Sequence, residues 1–370
     1  MRTARFAFPR TRFLVGVFLG ALVLLLSVLR APEPVRAQSH PRLTVEDDCS
    51  TFAFAPDNRI AYAVRRLMKT KRYDLQRDDI WITALDGKKL RIVNGEKFVK
   101  GAVLFSYAIQ SLRWSPDGKR LTVEMLTDEV VDAKGTTREG LLTDLMNDDG
   151  KEIEIAGTKN SVIPDGTQAV WLSDEETVGF LTEAVKPKLL YSIGTVRPSG
   201  GRGGLIFDGH TFSAVAWDAP HNAAVAVERA RSLSGPIQLV WLDVIKRTRR
   251  ELATLDGFLG QLSLSPSGAR VAYFHDGDTL EIRELASPEK VMRVTAVYGH
   301  YEWSPDERRV LLKRGPEKKT GDLTWVSIPD GNLSPILHDL TFHDFRISPD
   351  GAWLAVTEPG KRTMMVYPLP

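Results

Sequence analysis

The apolar residues of this chain fall on alternate positions in short runs, and the runs come in pairs joined by a few turn formers. Alternation is the period of a strand with one buried face, so each pair reads as a hairpin. The clearest pair runs Leu112-Arg113-Trp114, then Ser115-Pro116-Asp117-Gly118, then Leu121-Thr122-Val123. In its turn, Pro presets φ, Asp bonds its own backbone and Gly accepts φ > 0. The unit recurs around Phe54-Ala55-Pro56-Asp57-Asn58, Trp171-Leu172-Ser173-Asp174 and Trp217-Asp218-Ala219-Pro220. It recurs again around Leu264-Ser265-Pro266-Ser267-Gly268, Trp303-Ser304-Pro305-Asp306 and Ile347-Ser348-Pro349-Asp350-Gly351. The third and fourth of these seven copies are degenerate.

A lone hairpin is marginal in water, and two more strands follow most copies. Ile80-Trp81-Ile82 with Leu90-Arg91-Ile92-Val93 is one such pair, and Thr279-Leu280-Glu281-Ile282 with Val291-Met292-Arg293-Val294 is another. Pro56 and Pro349 lie 293 residues apart, about 49 residues for each of six intervals, which suits four-stranded propeller blades. After the last copy only one further strand, Met364-Met365-Val366-Tyr367, follows, while Leu43-Thr44-Val45 stands unpaired ahead of the first. Letting one terminus complete the blade of the other removes a sheet edge. The expected fold is all-β: a seven-bladed β-propeller of four-stranded antiparallel blades, closed by an N-terminal strand completing the last blade.

The run Trp114-Ser115-Pro116-Asp117-Gly118-Lys119-Arg120-Leu121 resembles the repeat of TolB-like, WD-repeat-like bacterial propellers. It is also similar to the propeller domains of prolyl-oligopeptidase and dipeptidyl-peptidase enzymes. The resemblance covers nearly all of the chain after residue 43 and speaks to fold. TolB itself carries an N-terminal α/β domain for which the stretch before residue 43 has no room, so its role in the Tol–Pal envelope system is not carried over.

Residues 1–37 read as a secretory signal peptide. Arg2, Arg5, Arg10 and Arg12 precede an apolar run from Phe13 to Leu29, and Val35-Arg36-Ala37 is a small-residue cleavage pattern. The alternative is an uncleaved anchor, because the run is almost long enough to span a bilayer. Both readings export residues 38–370, a single propeller domain, to a periplasmic or extracellular place. Membrane contact then comes only through the N-terminal segment. Removing residues 1–37, with six arginines and Glu33, takes the formal net charge from +2 to −3. No basic excess remains for phosphate binding, so nucleic acid is not an expected partner. The one cysteine, Cys49, forms no internal disulfide and reads as a strand residue near the closure.

Two excursions stand out. In the first copy, the stretch from Arg65 to Asp79 carries Arg65, Arg66, Lys69, Lys71, Arg72 and Arg77 against Asp74, Asp78 and Asp79. It reads as a solvated loop or as a docking patch for an anionic partner, with Arg65, Arg66, Lys69, Lys71 and Arg72 as the contact residues. The second copy has a longer loop in the same place, Leu126 to Gly140, with Asp128, Glu129 and Asp132. Neighbouring loops of this kind share one face of the disc, the expected binding face.

Complete catalytic motifs do not occur in the sequence. It holds no Gly-x-Ser-x-Gly elbow, no His-Glu-x-x-His and no calcium loop. Arg197-Pro198-Ser199-Gly200-Gly201-Arg202-Gly203-Gly204 lacks the Lys-Ser/Thr ending of a phosphate loop and reads as a strand connection. No cofactor or metal is expected. Chemistry has one place to gather, the axial channel. Along the strands entering each turn, the polar alternate positions bring Arg113, Gln261, His300, Glu302, Asp344 and Arg346 together, with His343 adjacent. A His beside carboxylates suits a base or a metal ligand; the same residues also suit an inter-blade network of paired charges. Trp114, Trp217 and Trp303 share one repeat position and read as wedges between blades. The expected function is an exported, non-catalytic propeller that presents one face to a protein partner as a scaffold in the cell envelope. The alternative is a propeller enzyme, lactonase- or lyase-like, acting on a small molecule or glycan at the channel mouth.

Overall fold

Strands form where the alternating pattern places them. The structure, a computed structural model, describes residues 40–69, 74–95, 105–130, 137–158, 160–183, 190–201, 203–207, 209–229, 236–257, 259–295, 297–314, 321–340, 344–357 and 363–369. The proposed leader lies outside them. β1 (Leu43–Val45) comes first. Copy one then gives β2 (Cys49–Phe54), β3 (Ile60–Val64), the short pair β4 (Leu67–Lys69) and β5 (Asp74–Gln76), β6 (Asp79–Thr83) and β7 (Lys89–Val93). Copy two gives β8 (Phe105–Trp114), β9 (Arg120–Val130), β10 (Thr137–Asn147) and β11 (Val162–Pro164). Copy three gives β12 (Gly166–Trp171), β13 (Val178–Glu183), β14 (Tyr191–Val196) and β15 (Gly204–Ile206). Copy four gives β16 (Phe212–Asp218), β17 (Ala223–Glu228), β18 (Ile237–Asp243) and β19 (Thr248–Leu255).

Copy five follows as β20 (Leu259–Leu264), β21 (Arg270–His275), β22 (Thr279–Glu284) and β23 (Val291–Val294). Copy six is β24 (Val297–Trp303), β25 (Arg309–Arg314), β26 (Gly321–Ser327) and β27 (Leu333–Leu340). Copy seven is β28 (Asp344–Ile347), β29 (Trp353–Thr357) and β30 (Met364–Pro368), and β1 lies beside β30 with Leu43 opposite Val366 and Val45 opposite Met364.

The chain is a β-propeller with five four-stranded blades, and the expected seven is corrected. Copies one, two, five, six and seven each make a separate four-stranded antiparallel sheet, whereas copies three and four share one eight-stranded sheet. The join is a pairing of Tyr191 in β14 with Phe212 in β16. Its cause lies in the glycine-rich run. Gly200, Gly201 and Gly204 all take positive φ, and β15 covers β14 only from Ile193 to Thr195. The Tyr191 end of β14 is left for β16 to pair with.

The motif serine builds each clean turn. Ser304 Oγ donates to Asp306 Oδ1 at 2.6 Å and accepts from the Arg309 N–H at 3.0 Å. Ser348 repeats both bonds with Asp350 and Trp353. Ser115 does so with Asp117 and Arg120. All three serines are buried, so their hydroxyls need these partners. Apolar clusters fill the space between adjoining copies. Val45, Phe52, Tyr62 and Val366 pack where the last copy meets the first, and Ile82, Ile109, Leu121 and Val123 pack between the first and second.

The tryptophans wedge between copies as their shared position suggests. Trp114 Nε1 donates to the Ala53 carbonyl at 3.2 Å, and Trp303 Nε1 donates to Ser263 Oγ at 3.0 Å. Trp217 covers Gly179 so closely that a Cβ there would meet the ring at 2.7 Å. Cys49 is a buried thiol in β2; burial, with Asp47 and Asp48 nearby, pushes its pKa up to about 12.

Candidate functional site

The strands entering the turns line a cavity of about 500 Å³ on the propeller axis. Thr51, Ser111, Arg113, Val170, Glu302 and Arg346 face it, and Pro56, Pro116, Pro220 and Pro349 ring its turn end. Irregular pairing aims the polar groups. β20 slips register between Gly260 and Ser263, and Gln261 there sits at φ 31°. A bulge of this kind re-aims a side chain at some backbone strain.

The structure brings Gln261, His300, Glu302, Asp344 and Arg346 into one network. Gln261 Nε2 donates to His300 Nδ1 at 2.8 Å and to the Tyr301 carbonyl at 3.2 Å. The other ring nitrogen, Nε2, lies 2.7 Å from Glu302 Oε1. Arg346 Nη1 lies 2.5 Å from the same Nε2, 2.8 Å from Asp344 Oδ1 and 3.2 Å from Glu302 Oε1. Burial opposes the charge of Glu302, but Arg346 and His300 outweigh it and hold the carboxyl below its usual value. Both ring nitrogens of His300 are engaged within the protein, and the ring stands edge-on to Phe345.

Arg113 belongs to a second, adjoining set. Its Nη1 donates to Ser111 Oγ at 3.2 Å and lies 3.7 Å from Glu124 Oε2. Burial and the facing charge of Arg346 lower its pKa against the attraction of Glu124. Glu124, which the alternation of the inner strands did not single out, reaches in from β9. It accepts from Thr167 Oγ1 at 2.7 Å and from the Gln168 N–H at 2.8 Å. Gln168 has positive φ, like Gln261. A register slip in β12 between Thr167 and Val170 is the local cause. His343 lies outside the described residues. Among the described residues, no group of three or more His, Cys, Asp or Glu side chains is placed to hold a metal ion.

The excursions emerge at the opposite end of the axis from the motif turns, because β3 runs back from its turn before the chain leaves at Val64. The first is a hairpin, β4 against β5, rather than a wholly solvated loop. Its base is charged and buried: Arg77, Asp78 and Asp79 are each at most 1 % exposed. Asp78 accepts from the Ile109 N–H and from Gln76 Nε2, both at 2.9 Å. Asp79 accepts from Arg66 and from the Gly95 N–H. Arg66 is thus an anchor of the hairpin, and Arg65 is half-buried. Leu67, 66 % exposed, and Lys69 face outward. Lys71 and Arg72 lie outside the described residues.

The second excursion extends β9 and β10, paired as far as Val130 and Thr137. The first excursion meets β8, the strand beside β9, through Ser106, whose Oγ accepts from the Gln76 N–H and donates to the Gln76 carbonyl, both at 2.9 Å; Ser106 itself stands opposite Asp128 of β9. The result is one raised platform with Leu67, Lys69 and Leu126 on its exposed surface.

Solved structures match this architecture. A chain in the crystal structure of the mitotic checkpoint complex aligns with TM-score 0.60 at 14% identity, over 92% of this chain and 98% of that one. The β-propeller domain of Myceliophteria thermophila Cps50 (Swd1) aligns with TM-score 0.59 at 14% identity, over 90% of this chain and 100% of that one. No family model and no curated protein matches the sequence. At such identity the likeness carries the fold alone, that of a β-propeller.

Proposed function

We propose that the protein is an exported, non-catalytic scaffold that docks a partner protein of the cell envelope on its raised platform. The observation that carries this reading is the fastening of the β4–β5 hairpin, through Gln76 and Ser106, to β8, which pairs with β9 of the second hairpin. Two excursions tied through β8, the first anchored by buried charges, present a rigid surface, which spares a partner the entropy of ordering it. Leu67 and Leu126 supply exposed apolar area, and Lys69 a charged rim. The leader-like residues 1–37 support export, to the periplasm or outside the cell, or anchoring by that segment. Nucleic acid does not fit the net −3 of residues 38–370.

The enzyme reading finds less support. His300 has Gln261 on one nitrogen and Glu302 on the other, so neither is poised toward the cavity as a base.

The test is affinity capture from the native envelope fraction with the full chain, beside a Leu67→Glu/Lys69→Glu/Leu126→Glu variant. A stoichiometric protein held by the first and lost by the second supports the platform. A partner captured equally by both, or none by either, contradicts it.

A further inference from the structure

We propose that the axial cavity binds a small organic acid, its carboxylate held between Arg113 and Arg346 and its apolar body against the channel wall. This site is independent of the platform, at the other end of the axis.

Both arginines of the cavity carry unused donors. The side chains of Arg113 and Arg346 are 37% and 34% exposed, and both line the cavity. Each bonds through Nη1: Arg113 to Ser111 and Glu124, Arg346 to Asp344, Glu302 and the Phe345 carbonyl. The structure gives neither arginine a hydrogen bond from Nε or Nη2 among the described residues. A guanidinium offers five donors in a planar fork, so both arginines keep donor capacity beyond these bonds.

Several acceptor oxygens around the cavity already hold partners. Glu124 holds Thr167 and the Gln168 N–H. Asp344 Oδ1 holds the Phe345 N–H and Arg346. Glu302 Oε1 holds His300 and Arg346. A carboxylate matches a guanidinium fork with charge-assisted bonds. Burial first, and then the like charge of Arg346, lower the pKa of Arg113, and an anion between the two guanidiniums offsets both. Glu302 in the same wall favours a ligand of one negative charge over a dianion.

The rest of the wall sets the body of the ligand. Phe54, Trp114, Val170 and Ile347 line the same cavity. Its volume of about 500 Å³ is in the range of small-molecule sites, which are apolar with a few placed polar groups.

Isothermal titration of the full chain with 3-phenylpropionate, indole-3-acetate and octanoate, beside the uncharged 3-phenylpropionamide, tests the site. At least one carboxylate binds saturably at one site per chain, and 3-phenylpropionamide binds about tenfold or more weaker than 3-phenylpropionate or not at all. Arg113→Gln and Arg346→Gln each weaken the carboxylate by a similar factor. Because either variant can also fail to fold, the unaltered protein is labelled with phenylglyoxal and its peptides are weighed. The bound carboxylate protects Arg113 and Arg346 from modification. No saturable binding by any of the three acids, equal binding of acid and amide, or unchanged labelling of both arginines overturns the proposal. These outcomes leave the platform reading untouched, and loss of the captured partner in the platform variant leaves this one untouched.

Discussion

Asn58 Nδ2 donates to Asp350 Oδ2 across 2.6 Å, tying the turn of the first copy to the turn of the last, 292 positions away. Other turns hook onto their neighbours in the same way. Arg59 Nη2 donates to the Gly118 carbonyl at 2.8 Å, the Ser173 N–H to Asn222 Oδ1 at 3.0 Å, and Ser267 Oγ to Glu307 Oε2 at 2.7 Å. The turns are therefore contacts between copies as well as ends of hairpins.

Asp350 makes the seam measurable. It also accepts from Ser348 and from the Ala352 N–H. Asp350→Ala is expected to cost about 1–2 kcal/mol in thermal unfolding. Asp306 makes the same two local bonds without an Asn58-like partner among the described residues, so Asp306→Ala should cost less. In a double-mutant cycle, Asn58→Ala should lose most of its effect once Asp350 is gone.

Gly179 is held small by Trp217. A side chain at Gly179 must displace the indole, whose ring atoms lie 2.7 Å from the nearest Cβ position. Gly179→Val is expected to destabilise by about 2 kcal/mol from overpacking. Adding Trp217→Leu should return part of that loss, read by chemical denaturation.

Acid should weaken the fold through Glu281. This carboxylate accepts from Tyr273 and Arg293 at 2.8 Å and faces His275 Nδ1 at 3.2 Å. Burial opposes its charge, yet these partners hold its pKa at about 2 against an ordinary 4.5. A depressed carboxylate stabilises the native state above its unfolded pKa and loses that contribution as pH falls through the folded one. The contribution is full above about pH 4.5 and gone near pH 2. Glu281→Gln should cost about 2 kcal/mol at neutral pH and flatten the acid limb of the stability curve between these values.

Asp144 acts with the opposite sign. Burial, aided by Glu152, raises its pKa to about 6, and its Oδ1 is buried with no hydrogen-bond partner. Folding then favours the protonated acid, so the group costs stability above about pH 6 and the cost fades as pH falls toward its ordinary 3.8. Asp144→Asn should raise the unfolding midpoint at pH 8 and change it little at pH 4.

Much of the fold was legible because its signals are local. The serine-to-aspartate bond spans two residues and the N–H to serine bond five, so Ser304-Pro305-Asp306 writes its own turn. The merger of copies three and four was not legible, since it depends on how far β15 covers β14 and on Tyr191 meeting Phe212. Alternation along the inner strands found Gln261, His300, Glu302, Asp344 and Arg346, because those side chains point to one side of their strands. It missed Glu124, which comes from the second strand and crosses to Thr167 in the next copy. The charges of Arg77-Asp78-Asp79 were read as part of a surface excursion. Their position directly before the apolar Ile80-Trp81-Ile82 was the available sign that they sit beneath the hairpin.

The central claim is that the platform is the docking surface, and hydrogen exchange on the captured complex tests it most directly. The account predicts slowed exchange upon binding in residues 65–69, 74–76, 126–130 and 137–140, with the motif turns at the other end of the axis unchanged. Protection confined to those turns, or to the outer strands β7, β19 and β23, would contradict it.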